Sequence, residues 1–324
     1  MCTAIKYVSD DFFFGRTLDN DCSYGEEIVI MPRRRKIVTE KAGVLPAHYA
    51  MIGIATVRSG TPLFYDACNE KGLAVAGLNF VGNAHYNDCV QGKDNVASFE
   101  LIPWLLGCCS TVAEVKSRLE NVNITNSAFA PELPPAQLHW LIADKDAAIV
   151  VESEENGFHV YDNEVGVLTN NPPFPSQMFC LNNYMHVSPK PPSNGFSDKL
   201  KLDAYSRGMG GIGLPGDVSS QSRFVRAAFT LLNSPTCLTK EDSVSQFFHI
   251  LGAVDQVRGC CVMDGGEYET TIYTSCCNAT RGIYYYTGYN NHRITGVDMH
   301  KANLDGTALF RYPMIKTEQI FFQN

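Results

Sequence analysis

Short apolar runs, bounded by turn residues, fill the first third of the chain: CTAIKYV from Cys2, FFFGRTL from Phe12, EIVIM from Glu27, AMIGIATV from Ala50 and LAVAGLNF from Leu73. β-Branched and aromatic residues dominate them, so each predicts a strand. The period then changes. Ser98–Cys108 and Thr111–Glu120 read as helices, the second behind an N-cap at Ser110. Strand signals return in LHWLIAD, AAIVVES and FHVY, between Leu138 and Tyr161. A second helical pair covers roughly Ser222–Leu232 and Ser243–Leu251, and YETTIYTS, GIYYYTG and RITGVDM close the series. Strand blocks separated by helix pairs predict two stacked sheets with helices outside, in one domain spanning 1–324.

Charge narrows the partners. The net charge is −8 with no sustained basic stripe, which argues against nucleic acid. The single basic run, Arg33 to Lys36 behind Pro32, predicts a solvated turn. Lys6, Asp10 and Asp11 interrupt the N-terminal stretch, and no apolar run is long enough to span a bilayer. A cytoplasmic protein without a membrane partner is therefore expected, and its 12 cysteines should be reduced and mostly small buried hydrophobes. They show neither C-x-x-C nor zinc-type spacing, so neither a metal nor a cofactor is expected. Gly208 to Gly213 formally matches G-x-G-x-x-G. A dinucleotide loop must open a helix directly, whereas Leu214-Pro215-Gly216-Asp217 intervenes here, so a structural loop is expected.

The chemistry gathers at the N-terminus, where Cys2 stands directly behind Met1. Chance could put it there. If Met1 is removed, however, a thiol and a free α-amine share one residue, a nucleophile with its own base. A hairpin turning near Ser9–Asp11 sets Cys2 opposite Leu18 or Asp19 and makes Arg16 a diagonal neighbour. A guanidinium there stabilises a thiolate, and Asp19 could orient the amine. Acyl transfer also needs donors aimed at the developing oxyanion. Asn79 and Asn170, at apparent strand ends, carry suitable amides, although each alone reads as a turn residue. Arg223 alone reads as a solvent-facing residue at a helix start.

Five segments in order, MCTAI, FGRTLD, NEKGLAVAGLNF, GVLTNNP and GLPGDVSSQSRFVR, together resemble the choloylglycine hydrolase family of N-terminal nucleophile amidases, which comprises bile salt hydrolases and penicillin V acylases. The resemblance covers essentially the whole chain. It implies an α+β fold, a four-layer αββα sandwich of two antiparallel sheets, and a homotetramer. By the same resemblance Cys2 is the nucleophile, Arg16 and Asp19 flank it, Asn79 and Asn170 take the oxyanion and amine-positioning places, and Arg223 adds positive charge near the thiolate. Tyr24, Phe64, Phe129 and Leu133 match substrate-lining positions, suited to the apolar slab of a steroid. Asparagine at position 79 favours conjugated bile salts of the glycocholate and taurocholate type, because penicillin acylases often carry tyrosine there. FFHILG, YSRGMGGIGLPGD and GIYYYTGYNN are most similar to bile salt hydrolases of gut lactic-acid bacteria. The alternatives are a penicillin V acylase, a non-catalytic binder of bile acids, and an amidase for other N-acyl compounds such as signalling lactones.

Overall fold

A computed structural model describes residues 1–236 and 238–324. The N-terminal hairpin forms as its pattern predicts: β1 (Cys2–Val8) pairs antiparallel with β2 (Phe12–Asn20), with Cys2 opposite Leu18. β3 (Glu27–Met31) follows, then a small ribbon of β4 (Ile37–Val38) and β5 (Val44–Leu45). β6 (Met51–Arg58) and β7 (Thr61–Asn69) form a second hairpin, and β8 (Ala74–Asn79) pairs with β7. The turn of that hairpin is Ser59-Gly60, both with positive φ (50° and 77°), the backbone that matches the twist of paired strands. β9 (Asp94–Ala97) precedes α1 (Leu101–Cys108) and α2 (Val112–Leu119), and β10 (Val122–Thr125) returns parallel to β9.

An antiparallel meander of β11 (Leu138–Ala143), β12 (Ala148–Glu154) and β13 (Gly157–Asp162) comes next, then β14 (Val167–Leu168) and α3 (Phe174–Cys180). The chain finishes through α4 (Ser220–Leu232), α5 (Lys240–Gly252), β15 (Thr270–Asn278), β16 (Ile283–Gly288), β17 (Asn291–Asp298) and β18 (Phe310–Pro313).

Two antiparallel sheets result. The six-stranded sheet runs β14-β1-β2-β15-β16-β17, and the eight-stranded sheet runs β13-β12-β11-β8-β7-β6-β3-β18. α4 and α5 pack on the first through β1, β2 and β15, while α1 packs on the second through β6, β7 and β8, giving the αββα order of layers. α4 shows why: Phe224, Ala227, Ala228 and Leu231 recur at helical spacing and are all buried. Phe224 alone contributes roughly 1.5–3 kcal/mol by leaving water. On the opposite side Trp104, Leu105 and Val115 pack with Val75, Ile149 and Val151 of the eight-stranded sheet.

Several expectations are corrected. The cap of α2 is Thr111, whose hydroxyl accepts from the Glu114 N–H at 3.2 Å, because Thr111 is the last residue with extended backbone. Ser110 instead donates its N–H to the Glu114 carboxylate at 2.6 Å. Arg33 is not simply solvated: it makes a forked pair with Glu70 and reaches Asp305 at 2.9 Å. The cysteines are not uniformly reduced or buried. Cys68 on β7 and Cys277 on β15 are joined by a disulfide, because the two sheets face each other and bring together residues 209 positions apart. Cys22, Cys89 and Cys260 are exposed. Gly208 opens a tight turn at φ 80°, and Gly210 packs so closely on the carbonyls of Ser188 and Lys190 that a Cβ would not fit, so this stretch is a structural loop. Among the described residues no helix is long and apolar enough to cross a membrane.

Candidate active site

Cys2 begins β1, flanked by β2, and is 1% exposed. The diagonal placement inferred from the hairpin register is realised: Arg16 Nη2 lies 2.5 Å from Cys2 Sγ. The rest of the guanidinium is held by backbone. Nε donates to the Thr17 carbonyl at 3.1 Å, and Nη1 donates to the carbonyls of Tyr65 and Gly77. The Tyr65 carbonyl is available because β7 bulges there: Ile54 pairs with Asp66 but Ala55 with Phe64, which leaves Tyr65 outside the ladder. Behind Arg16 stands Asp66, fully buried, accepting from Tyr273 and Ser275 at 3.1 Å and from Tyr284. Burial works to lower the Arg16 pKa, but the facing Cys2 and the surrounding acidic groups outweigh it and hold the guanidinium above its usual range.

A second bulge lies beside Asp19: Thr271 pairs with Asp19 and Tyr273 with Leu18, so the β15 ladder slips by one residue at Ile272. Thr271, directly opposite Asp19, donates its hydroxyl to Asp19 Oδ1 at 2.7 Å. Asp19 Oδ2 accepts from the Thr17 hydroxyl at 3.2 Å and lies 3.9 Å from Arg223 Nη1. Burial pushes the Asp19 carboxyl up, opposed by Arg223, and burial likewise lowers Arg223, opposed by Asp19.

Arg223 faces inward, fully buried, contrary to the solvent-facing place its helix position suggested. The amphipathic phase of α4 explains the difference, since Arg223 lies on the packed side beside Phe224. Its Nη1 donates to the Cys2 carbonyl at 2.5 Å and the Thr3 hydroxyl at 2.6 Å, and its Nη2 donates to Asn170 Oδ1 at 2.7 Å. The same Asn170 oxygen accepts from the Cys2 N–H at 2.8 Å. Asn170 Nδ2 donates to the Asn79 carbonyl at 2.8 Å, while the Asn79 side chain stays exposed and lines the neighbouring cavity. Asn170 thus holds the Cys2 nitrogen, a place for which the hairpin had offered Asp19 and the resemblance Asn79 or Asn170.

With Met1 in place that nitrogen is an amide. Met1 extends the strand by one residue: Asp19 N–H donates to its carbonyl at 2.8 Å, and its ammonium contacts Glu269 and the Asp19 carbonyl.

The family model for linear amide C–N hydrolases of the choloylglycine hydrolase family matches residues 2–312. This chain belongs to that family. A bile salt hydrolase/transferase of Lactiplantibacillus plantarum is 52% identical over 324 residues, with both chains covered in full. The structure of a mutant conjugated bile acid hydrolase from Clostridium perfringens superposes with a TM-score of 0.91 at 35% identity, again over the whole of both chains. A penicillin V acylase from Agrobacterium tumefaciens shares the fold at 19% identity, with a TM-score of 0.77 over 96% of this chain and 90% of that one.

In this choloylglycine hydrolase family member a cavity of about 310 Å³ opens beside Arg16 and Asn79. Tyr24, Phe64, Phe129 and Leu133, the four expected to line a substrate site, all lie in its wall. Leu18, Leu63, Phe99 and Leu138 complete its apolar wall, and Arg58 stands at it as a cation. Phe99 meets Phe129 edge to face at 5.3 Å. Sequence reading missed Leu63, Tyr65 and Asp66 because β7 was not recognised as a strand. The signal was the Ser59-Gly60 turn behind AMIGIATV. Among the described residues no group of three or more His, Cys, Asp or Glu side chains is arranged to hold a metal ion.

Proposed function

We propose that this chain hydrolyses the amide of glycine- or taurine-conjugated bile salts through a thioester on Cys2, once Met1 has been removed. The observation that carries the proposal is the Arg16 guanidinium on the Cys2 sulfur, beside an apolar cavity large enough for part of a steroid. The freed amine, held by Asn170 Oδ1, takes the thiol proton as the thiolate attacks the carbonyl carbon. The tetrahedral oxyanion is met by the Asn79 amide, which faces the cavity. The protonated amine then gives its proton to the leaving glycine or taurine, and the bile acid remains as a thioester. Water, deprotonated by the same amine, attacks the thioester and releases the acid. An amine in place of water would give acyl transfer instead, in keeping with the double name of the Lactiplantibacillus relative.

Tyr24, Phe64, Phe129 and Leu133 contact the steroid in this reading. The unit acts as one domain of residues 1–324, in the cytoplasm, as a homotetramer. Support for the tetramer comes from the segment between α3 and α4, where Met185, Phe196, Tyr205 and Ile212 are exposed.

The test is one mixture of glycocholate, taurocholate and penicillin V incubated with protein lacking Met1 and followed by mass spectrometry. Cholate is expected well ahead of 6-aminopenicillanic acid. A leading penicillin product would refute the bile-salt reading, and no product at all would refute the enzymatic one.

A further inference from the structure

His139 and Glu152 are both fully buried, and the mechanism above uses neither. They face each other across the β11–β12 ladder, with His139 Nδ1 2.9 Å from Glu152 Oε1. The other ring nitrogen, Nε2, lies 2.9 Å from the carbonyl of Thr169. A carbonyl only accepts, so Nε2 carries a proton and donates it. One further proton between Nδ1 and the Glu152 oxygen completes that hydrogen bond as well. Glu152 also accepts the N–H of Phe174 where α3 begins, at 3.1 Å on Oε1, the oxygen that faces His139, and at 3.2 Å on Oε2.

Both ends of this pair lead to the site. Thr169 directly precedes Asn170, whose side chain holds the Cys2 nitrogen. On the opposite flank the His139 ring stacks on Phe80, with centroids 4.3 Å apart and planes 6° from parallel. Phe80 directly follows Asn79, and the residue before His139, Leu138, pairs with Asn79 in the β8–β11 ladder. One imidazole therefore touches the backbone next to Asn170 and the side chain next to Asn79. Polar groups buried this deeply cost free energy unless fully paired, and an apolar pair would pack as well, so a positional role accounts for them.

We propose that His139, its ring held between Glu152 and the Thr169 carbonyl, is a positioning residue that sets Asn170 and Asn79 relative to Cys2. The inference rests on the amidase reading above. Removing the donor to Thr169 lets the Asn170 segment drift, and misplacement of about 1 Å costs up to roughly 100-fold in rate. In His139→Leu, kcat is expected to fall about 10- to 100-fold with KM within about twofold, since the cavity wall is untouched. His139→Gln combined with Glu152→Gln keeps a neutral hydrogen-bonded chain and an amide donor toward Thr169. It is expected to recover kcat to within about threefold of wild type. His139→Asn combined with Glu152→Gln is one methylene shorter and is expected to stay as impaired as His139→Leu. These two double variants differ by that methylene alone, so their comparison decides the matter even if His139→Leu does not fold. Wild-type kcat in a folded His139→Leu, or equal impairment of the two double variants, would overturn the inference. An inactive wild type would overturn the amidase reading and this one with it, whereas an active wild type with unaffected variants overturns this one alone.

Discussion

Arg223 is the residue whose removal tests the electrostatics of the site most directly. It is fully buried, as is Asp19, and their charged atoms approach to 3.9 Å. At that separation, with an effective dielectric constant of about 20, the attraction is roughly 4 kcal/mol. Arg223→Met removes it together with the donors to the Cys2 carbonyl, Thr3 and Asn170, and leaves Asp19 buried without its cation. Breaking one side of a buried pair costs about 3–5 kcal/mol. A chain of 324 residues unfolds with an entropy of roughly 0.7 kcal/mol per kelvin, so the melting temperature should fall by about 4–7 °C. Burial already pushes the Asp19 carboxyl up, and Arg223 opposes that shift, so its removal moves the carboxyl further in the same direction. Asp19→Asn in the Arg223→Met background removes the stranded carboxyl altogether. The double variant should therefore lose at least about 2 kcal/mol less than the sum of the two single losses. Urea and thermal unfolding of the four proteins measure this directly. Additivity within about 0.5 kcal/mol would refute the coupling, and an unchanged melting temperature for Arg223→Met would refute the buried pair itself.

Cys2→Ala should abolish bile-salt turnover while circular dichroism and the melting curve stay those of the wild type, and protein retaining Met1 should be equally inactive because its Cys2 nitrogen is an amide. Asn79→Ala should lower kcat by roughly 100- to 1000-fold, the usual loss for one oxyanion donor, with little change in KM; steady-state kinetics on glycocholate decide it. The Arg33 pairing lowers the Glu70 pKa against the effect of burial, so its stabilisation is present above the unfolded Glu value of ~4.3 and is lost as pH falls through the lower folded value. Glu70→Gln should accordingly lower the melting temperature at pH 7 and make it less sensitive to acid below pH ~4, as a series of thermal melts would reveal.

What could be read from the chain alone followed from locality. The β1–β2 hairpin has a three-residue turn and a short span, so its register, and with it the approach of Arg16 to Cys2, was available from spacing. The resemblance supplied Arg223, which no local pattern could place. Its burial depends on which face of α4 meets the six-stranded sheet, and Asp19, its counter-charge, lies 204 positions earlier in the chain. The two bulges were illegible for a related reason. A bulge is a mismatch between two strands, and neither Ile272 nor Tyr65 announces it alone. Yet the bulge in β7 frees a group that holds the site, the Tyr65 carbonyl on Arg16. Among the described residues the Arg16 guanidinium makes no direct ion pair with a carboxylate. Its hydrogen bonds go to three backbone carbonyls and the Cys2 sulfur, so the partner positioned to take its charge is the sulfur itself. A carboxylate bonded to that guanidinium would have neutralised it locally and weakened its hold on a thiolate. Placing Asp66 behind Arg16, saturated by three hydroxyls, keeps the cation balanced within the protein while its charge remains directed at the nucleophile.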